Sequence, residues 1–578
     1  QVFTPVARCL SSYSMRMLVL VFYYLVFVGQ GRRVQTSNRQ SQRGPTSQQQ
    51  RAPKDKGASY AAPAIKSGRL EFPESFVFGV ATAAYQIEGA VDEDGRKPSI
   101  WDVFSHTPGK TAAGGTGDIA CDHYHRFRDD LGIMSKLNLQ AYRFSISWSR
   151  LIPDGEGEVN EEGVKFYSDL IDGLLELGIT PWVTLYHWDL PAALDSEFDG
   201  WLGPKDRVVA AFGAYARLCF ERFGDRVKNW ITLNEPWCAT ILGFCNGVHA
   251  PGHQSQPATE PYIAGHNMLL AHAEAVRIYR SEFAEQGGQI GITLNTNWGQ
   301  PLDSGKKDHC AAAQRFMDFQ LGWFADPVYL GDYPEVMKEA VGDRLPVFSP
   351  EEKVLLQGSS DFFGINSYTG NYVRPGLQSH VGKGFQNFLC RKLFGDGWFS
   401  DLGVIPWEDW RRWERTDMGW PILPWGFRDL LLYVQGRYHP PGGIFITENG
   451  VAQEPKSSRE LDRKQPQGLV PEPYTQVVED FDSETFDDPE RVRYLRAYFS
   501  AVHAAIAEGA DVRGYFCWSL MDNFEWAVGY AKRFGLVRVD YPTQKRTIKS
   551  SGRFFADVIK SRGLDAPGIE EQFKGKPF

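Results

Sequence analysis

A chain of 578 residues with 42% hydrophobic content can bury a large core, either in several domains or in one barrel carrying long loops. The net charge of −9 is unevenly spread: the first 68 residues hold ten Lys or Arg against Asp55 alone, a local +9 that leaves −18 on the remainder. An acidic body of this kind has no electrostatic footprint for nucleic acid, and that class of partner is excluded.

In chain order, residues 1–68 stand apart as an amino-terminal extension. After Arg16 comes an apolar run of eleven residues, Leu18 to Val28, too short to span a bilayer and of the length of a signal-peptide core. No stable membrane span is expected from it. Gln35 to Ser59 is a mixture of Gln, Ser, Arg and Pro with little to bury, and is expected to be disordered. The extension reads as a poorly defined leader or gene-model artefact, with a true secretion signal as the rival. The eight cysteines are sparse and show no paired spacing, so free thiols are expected, although Cys238 and Cys245 are close enough for a bridge. No Asn-x-Ser/Thr sequon occurs, which points to a cytoplasmic protein, secretion being the alternative.

From Glu71 onward, short β-branched or aromatic runs alternate with longer amphipathic segments, the pattern of an α/β fold with a parallel sheet and crossover helices. The spacing predicts strands at Phe76–Thr82, Ala141–Ser147, Thr180–Tyr186, Val227–Leu233, Ile290–Leu294, Phe362–Ile365, Gly443–Thr447 and Gly514–Trp518. Eight such strands predict a single (β/α)8 barrel over residues 69–578. Asp488–Ala507 is predicted helical, because Val492, Leu495, Tyr498, Phe499 and Val502 recur at three- and four-residue steps. A plain barrel needs about 250 residues, so the surplus must lie in loops after strands. The segments 372–420 and 453–485 are the clearest insertions and are expected to wall the entrance.

Two stretches, Thr232-Leu233-Asn234-Glu235-Pro236 and Ile446-Thr447-Glu448-Asn449-Gly450, each end a β-like run on a glutamate, 213 residues apart. They read as a catalytic carboxylate pair. One acid can protonate a departing oxygen while the other carboxylate attacks the carbon it leaves. Both then need surroundings that separate their pKa values. Arg143, which ends Ala141-Tyr142-Arg143 on the second predicted strand, is placed to hold Glu448 charged unless it is a plain barrel salt bridge, and Tyr368 to donate to the same carboxylate.

Two further stretches accompany the glutamate motifs: Phe76-Val77-Phe78-Gly79-Val80-Ala81-Thr82-Ala83-Ala84-Tyr85-Gln86-Ile87-Glu88-Gly89-Ala90, and Trp518-Ser519-Leu520-Met521-Asp522-Asn523-Phe524-Glu525-Trp526 followed by Arg533-Phe534-Gly535-Leu536. With them the chain resembles glycoside hydrolase family 1, the β-glucosidases, from about Phe72 to about Ile559. The resemblance implies that Glu235 is the acid/base and Glu448 the nucleophile, about 5 to 5.5 Å apart. It assigns Gln86, His187, Asn234 and Glu525 to the sugar hydroxyls, Asn234 to the 2-hydroxyl, and Trp518 and Trp526 to the walls. Trp188 and Asn366 join them as substrate-binding residues. An anionic Glu525 is expected to repel a phosphorylated sugar. The family often carries Tyr or His where Ser367 stands here, which puts leaving-group preference in doubt. Phe534 and Trp237 are candidates for that outer region or for packing.

His123 and His125 have a spacing that could ligate a metal, but nothing completes the set, and Gly114-Gly115-Thr116-Gly117 lacks the residues of a phosphate loop. No metal and no cofactor is implied. The expected activity is retaining hydrolysis of small β-glucosides, such as cellobiose and aryl or alkyl glucosides, with transfer to a second sugar as a side route. The alternatives are a β-galactosidase, a β-fucosidase, a specialised aglycone glucosidase, or a glycan-binding barrel without turnover. Homo-oligomerisation is left open.

Overall fold

The computed structural model describes residues 68–376, 397–452 and 486–565. The apolar run Leu18 to Val28, the low-complexity stretch after it, insertion 453–485 and part of insertion 372–420 lie outside the described residues.

Eight parallel strands close a barrel in sequence order: β1 (Val77–Ala81), β2 (Ala141–Ser145), β3 (Thr180–Tyr186), β4 (Asn229–Asn234), β5 (Gln289–Asn295), β6 (Phe363–Asn366), β7 (Ile444–Asn449) and β8 (Val512–Trp518). β8 pairs in parallel with both β7 and β1, which completes the ring. Most of these residues are buried, as expected of strands covered on the inside by one another's side chains and on the outside by helices. The predicted strands all appear, with ends moved by one or two residues; β3 matches its predicted bounds.

The crossover helices follow from their periodicity. In Glu161–Glu176, Val164, Tyr167, Leu170, Ile171 and Leu174 form the buried stripe, while Glu161 and Glu162 in the first turn complement the helix dipole. Pro489–Ala507 matches the predicted Asp488–Ala507. It starts on Pro489, whose missing N–H costs nothing at the first helical position.

The lower barrel interior is plugged by rings. Trp182 of β3 packs against Phe445, Phe516 and Phe362, at centroid distances of 4.7, 5.2 and 5.4 Å. Three strand glycines leave the space. A Cβ on Gly79 would stand 2.6 Å from the Phe516 ring, one on Gly514 2.8 Å from Phe445, and one on Gly291 2.9 Å from Phe362.

Above the strands' carboxyl ends, Trp298–Pro301, Gly370–Pro375 and Val404–Trp407 form a small sheet, so the described part of insertion 372–420 does stand on the face where barrel enzymes carry their chemistry. The loop after β8 is pinned from below. Buried Asp522 accepts from Lys549 Nζ at 2.8 Å, Gly535 N at 3.0 Å and Arg533 Nη1 at 3.1 Å. Among the described residues no helix is long and apolar enough to cross a membrane, and Cys238 and Cys245 are free thiols. His123 bonds Asp130, whereas His125 bonds Asp122 and Glu93, so the two histidines serve separate partners.

Candidate active site

Glu235 is the first residue past β4 and caps the short helix Pro236–Phe244, its backbone at φ 47°. Glu448 lies inside β7, one residue before its end. Trp188, after β3, and Trp526, after β8, also have positive φ, 77° and 50°. Three bulky side chains in a sparsely allowed region cost of order 1–3 kcal/mol each, and such strain gathers where aim matters more than stability.

Arg143 organises the floor of the site. It is fully buried and donates from Nη1 to Glu448 Oε1 at 2.7 Å and to Thr447 O at 3.0 Å, from Nη2 to Asn234 Oδ1 at 2.6 Å, and from Nε to Thr184 Oγ1 at 3.1 Å. It is the expected partner of Glu448 and more than a plain salt bridge. Tyr368 OH donates to the other carboxylate oxygen, Oε2, at 2.7 Å. Asn366 Nδ2 donates to Glu235 Oε1 at 2.8 Å and to Asn234 Oδ1 at 3.1 Å. Thr447 Oγ1 donates to Asn366 Oδ1 at 2.7 Å and fixes which way that amide faces.

Burial pushes the Glu235 carboxyl up to about 8, helped by the charge of Glu448 and opposed by the Asn366 and Cys238 hydrogen bonds and by Arg143. Burial pushes Glu448 up as well, but Arg143 and Tyr368 pull it back. The proton shared by the pair therefore rests on Glu235.

Asn234 Oδ1 is taken by Arg143 and Asn366, so its amide nitrogen faces His187 Nε2, 3.0 Å away. That leaves the His187 proton on Nδ1. Burial and the nearby Arg143 charge keep this imidazole well below its usual pKa, hence neutral. Gln86 donates to Phe524 O at 2.8 Å and Asn523 Oδ1 at 3.1 Å, while its Oε1 has no partner among the described residues. Glu525 Oε2 and His187 Nδ1 are likewise buried without partners. Burial and the two catalytic-pair carboxylates raise Glu525 to about 8. This runs against the expectation of an anion there: burial first, and then the neighbouring carboxylates, favour the protonated form.

The walls are aromatic. His187 stacks on Trp518 and Trp526, both at 5.9 Å, and Trp188 packs on Trp526 at 4.7 Å. Trp188 Nε1 donates to Asn234 O at 2.9 Å. Phe534 stands edge-on to Tyr368 at 6.1 Å and beside Trp420 at 6.2 Å. Trp237 packs on Trp398 at 5.2 Å. Ser367 is buried, its N–H donating to Glu448 O at 3.2 Å and its carbonyl accepting from Asn449 Nδ2 at 2.7 Å.

All thirteen predicted site residues belong to this cluster or its aromatic rim. Thr184, Thr447, Cys238 and Trp420 were missed. Cys238 had a sequence signal, three residues after Glu235 on a helix that starts there; Trp420 sits in an insertion whose path no periodicity reveals.

A closed eight-stranded barrel with two glutamates at the ends of its fourth and seventh strands defines a glycoside hydrolase, and residues 69–564 match glycosyl hydrolase family 1, to which this chain belongs. Its relatives are β-glucosidases, and β-glucosidase activity is the activity of the chain. Beta-glucosidase 1B of Phanerodontia chrysosporium is 47% identical over 509 residues, covering 86% of this chain and 87% of that protein. Beta-glucosidase 42 of Arabidopsis thaliana is 46% identical, over 88% and 96%. Among solved structures, a rice β-glucosidase superposes with a TM-score of 0.75 at 42% identity, over 84% of this chain and 99% of that one. The family 1 β-glucosidase of Thermotoga maritima gives 0.73 at 42%, over 86% and 100%.

Proposed function

We propose that the enzyme hydrolyses terminal β-D-glucosyl units of small glucosides, cellobiose and aryl or alkyl glucosides among them, by double displacement with retention. The observation that carries the reading is the shared floor of the two carboxyls: Asn234 Oδ1 accepts from Arg143, which holds Glu448, and from Asn366, which holds Glu235. Carboxyls joined through one side chain in this way suit a nucleophile and an acid that flank one bond, about 5 to 5.5 Å apart in a retaining enzyme.

In the first step Glu448 attacks the anomeric carbon as Glu235 gives its proton to the leaving oxygen. Forming the glycosyl ester removes the negative charge of Glu448, one of the causes that raises Glu235. Glu235 then becomes a better-stabilised carboxylate and takes a proton from the incoming water, which releases the sugar and restores Glu448. A second sugar in place of water gives transfer. The unpartnered Gln86 Oε1, His187 Nδ1 and Glu525 Oε2 support a ligand rich in hydroxyls, since buried polar atoms rarely stay unpaired. A Glu→Gln variant of the rice enzyme is held in covalent complex with glucose, in keeping with this route.

A second reading, tolerance of galactosides, is favoured by the Thermotoga maritima enzyme having been captured with galacto-hydroximolactam as well as with glucoimidazole. Intact-mass and peptide analysis after reaction with a 2-deoxy-2-fluoro-β-glucoside tests the main reading. One adduct, on Glu448, is expected; an adduct on another residue overturns it, and an adduct formed faster with the galacto reagent shifts the assignment to the second.

A further inference from the structure

Gln86 lies in the short helix Ala84–Ile87 that follows β1, and the loop after β8 ties it down. Phe524 N donates to Gln86 O at 3.1 Å, while Gln86 Nε2 donates back to Phe524 O at 2.8 Å and to Asn523 Oδ1 at 3.1 Å. The Asn523 amide cannot be turned round. Its Nδ2 donates to Met521 O and to Ser519 Oγ, both at 3.0 Å, and a carbonyl oxygen can only accept. Ser519 Oγ gives its own proton to Met521 O at 2.7 Å, so toward Asn523 it too is an acceptor. Gln86, Ser519 and Asn523 are all buried.

A primary amide has two N–H hydrogens. Phe524 O takes one and Asn523 Oδ1 the other, which leaves Gln86 nothing to donate. Its one open atom is Oε1, an acceptor, buried and without a partner among the described residues. We propose that Asn523 is a positioning residue that makes Gln86 an acceptor only, so that the sugar hydroxyl it meets must donate. The inference rests on the reading of Gln86 as a contact of the bound glucosyl unit. His187 makes the opposite demand, because its open Nδ1 carries the proton. The direction of the whole chain is set by two backbone carbonyls, Met521 O and Phe524 O, rather than by any group that faces the ligand.

Fluorine in place of a hydroxyl cannot donate, so it reports the direction of a hydrogen bond. 2,4-Dinitrophenyl β-glucosides with fluorine at carbon 3 or at carbon 4 are compared with the parent glucoside in the full-length enzyme. Inductive slowing by fluorine is common to every variant and cancels between them. In Asn523→Ala one Gln86 N–H is released and can turn to the sugar, so the kcat/KM penalty for fluorine at one of these carbons is expected to shrink by about tenfold. Asn523→Asp keeps an oxygen facing Gln86 and is expected to retain the wild-type penalty. Should Asn523→Ala fail to fold, Asn523→Ser, whose hydroxyl is too short to reach Gln86, carries the same expectation.

Because Asn523 acts through Gln86, Asn523→Ala is expected to lower kcat/KM on the parent glucoside by about tenfold in the wild type and to change nothing in Gln86→Ala. An unchanged fluorine penalty in Asn523→Ala, a penalty that shrinks as far in Asn523→Asp, or losses that add in the double variant overturns the proposal. Gln86→Ala separates the two failures. If it leaves kcat/KM on the parent glucoside unchanged, Gln86 does not contact the sugar and the reading beneath the proposal is wrong as well. A clear loss in Gln86→Ala beside an indifferent Asn523→Ala sinks only the role of Asn523.

Discussion

Arg143 donates to Asn234 Oδ1 at 2.6 Å, and that bond decides which face Asn234 shows to the rest of the site. The same guanidinium holds Glu448 at 2.7 Å, so the charge on Glu448 and the orientation of the Asn234 amide share one anchor. Arg143→Lys retains the charge but not the fork of bonds. A loss of about 100-fold or more in kcat/KM is expected. Because Glu448 loses part of what opposes its burial, the acidic limb of the pH profile should move to higher pH.

Tyr368→Phe removes a single 2.7 Å donor from Glu448 Oε2 and leaves the ring in place against Phe534 and Trp420. The expected result is a kcat lower by about 10- to 100-fold, the acidic limb again moving upward. An unchanged acidic limb, read from initial rates across pH, would remove Tyr368 from the nucleophile's support.

For Glu235, held near 8, wild-type kcat/KM should fall on the alkaline side with an apparent pKa of about 8. Glu235→Gln should abolish that limb. Activity on alkyl glucosides should vanish while the first burst with a dinitrophenyl glucoside survives, since an activated phenol leaves without a proton.

Glu525 offers a stability test. Its folded pKa, about 8, exceeds the ordinary value of 4.5, so the folded chain binds the extra proton and stability is full below about pH 4.5 and lost as pH rises through 8. Glu525→Gln removes that dependence. Its Tm is expected to exceed the wild type's at pH 9 and to match it near pH 5, while KM for glucosides rises.

In the barrel plug, Gly79→Ala would drive a methyl group to 2.6 Å from the Phe516 ring. Overpacking of this kind costs about 1–3 kcal/mol. A lower denaturation midpoint is expected, with less than additive loss when Phe516→Leu is combined with it.

The barrel was legible because its strands are short apolar runs between amphipathic segments, and the thirteen site residues because they stand in contiguous motifs at strand ends. The orientation of Asn234, the tautomer of His187 and the protonation of Glu525 were not. Each depends on bonds between side chains drawn from different strands, such as Arg143 to Asn234 and Asn366 to Glu235, which no local pattern encodes. The matching of Gly79, Gly291 and Gly514 to three rings was hidden for the same reason: each glycine meets a ring of the neighbouring strand, as Gly79 faces its register partner Phe516, 437 residues away.

The ring cluster around Trp182 makes the barrel a cup rather than a tube. A sugar chain has nowhere to thread, so it can present only an end, and whatever is cut off must leave by the doorway through which the next molecule arrives. Released glucose therefore competes with incoming substrate for that doorway, and any acceptor that intercepts the bound glucosyl unit must first win the same passage.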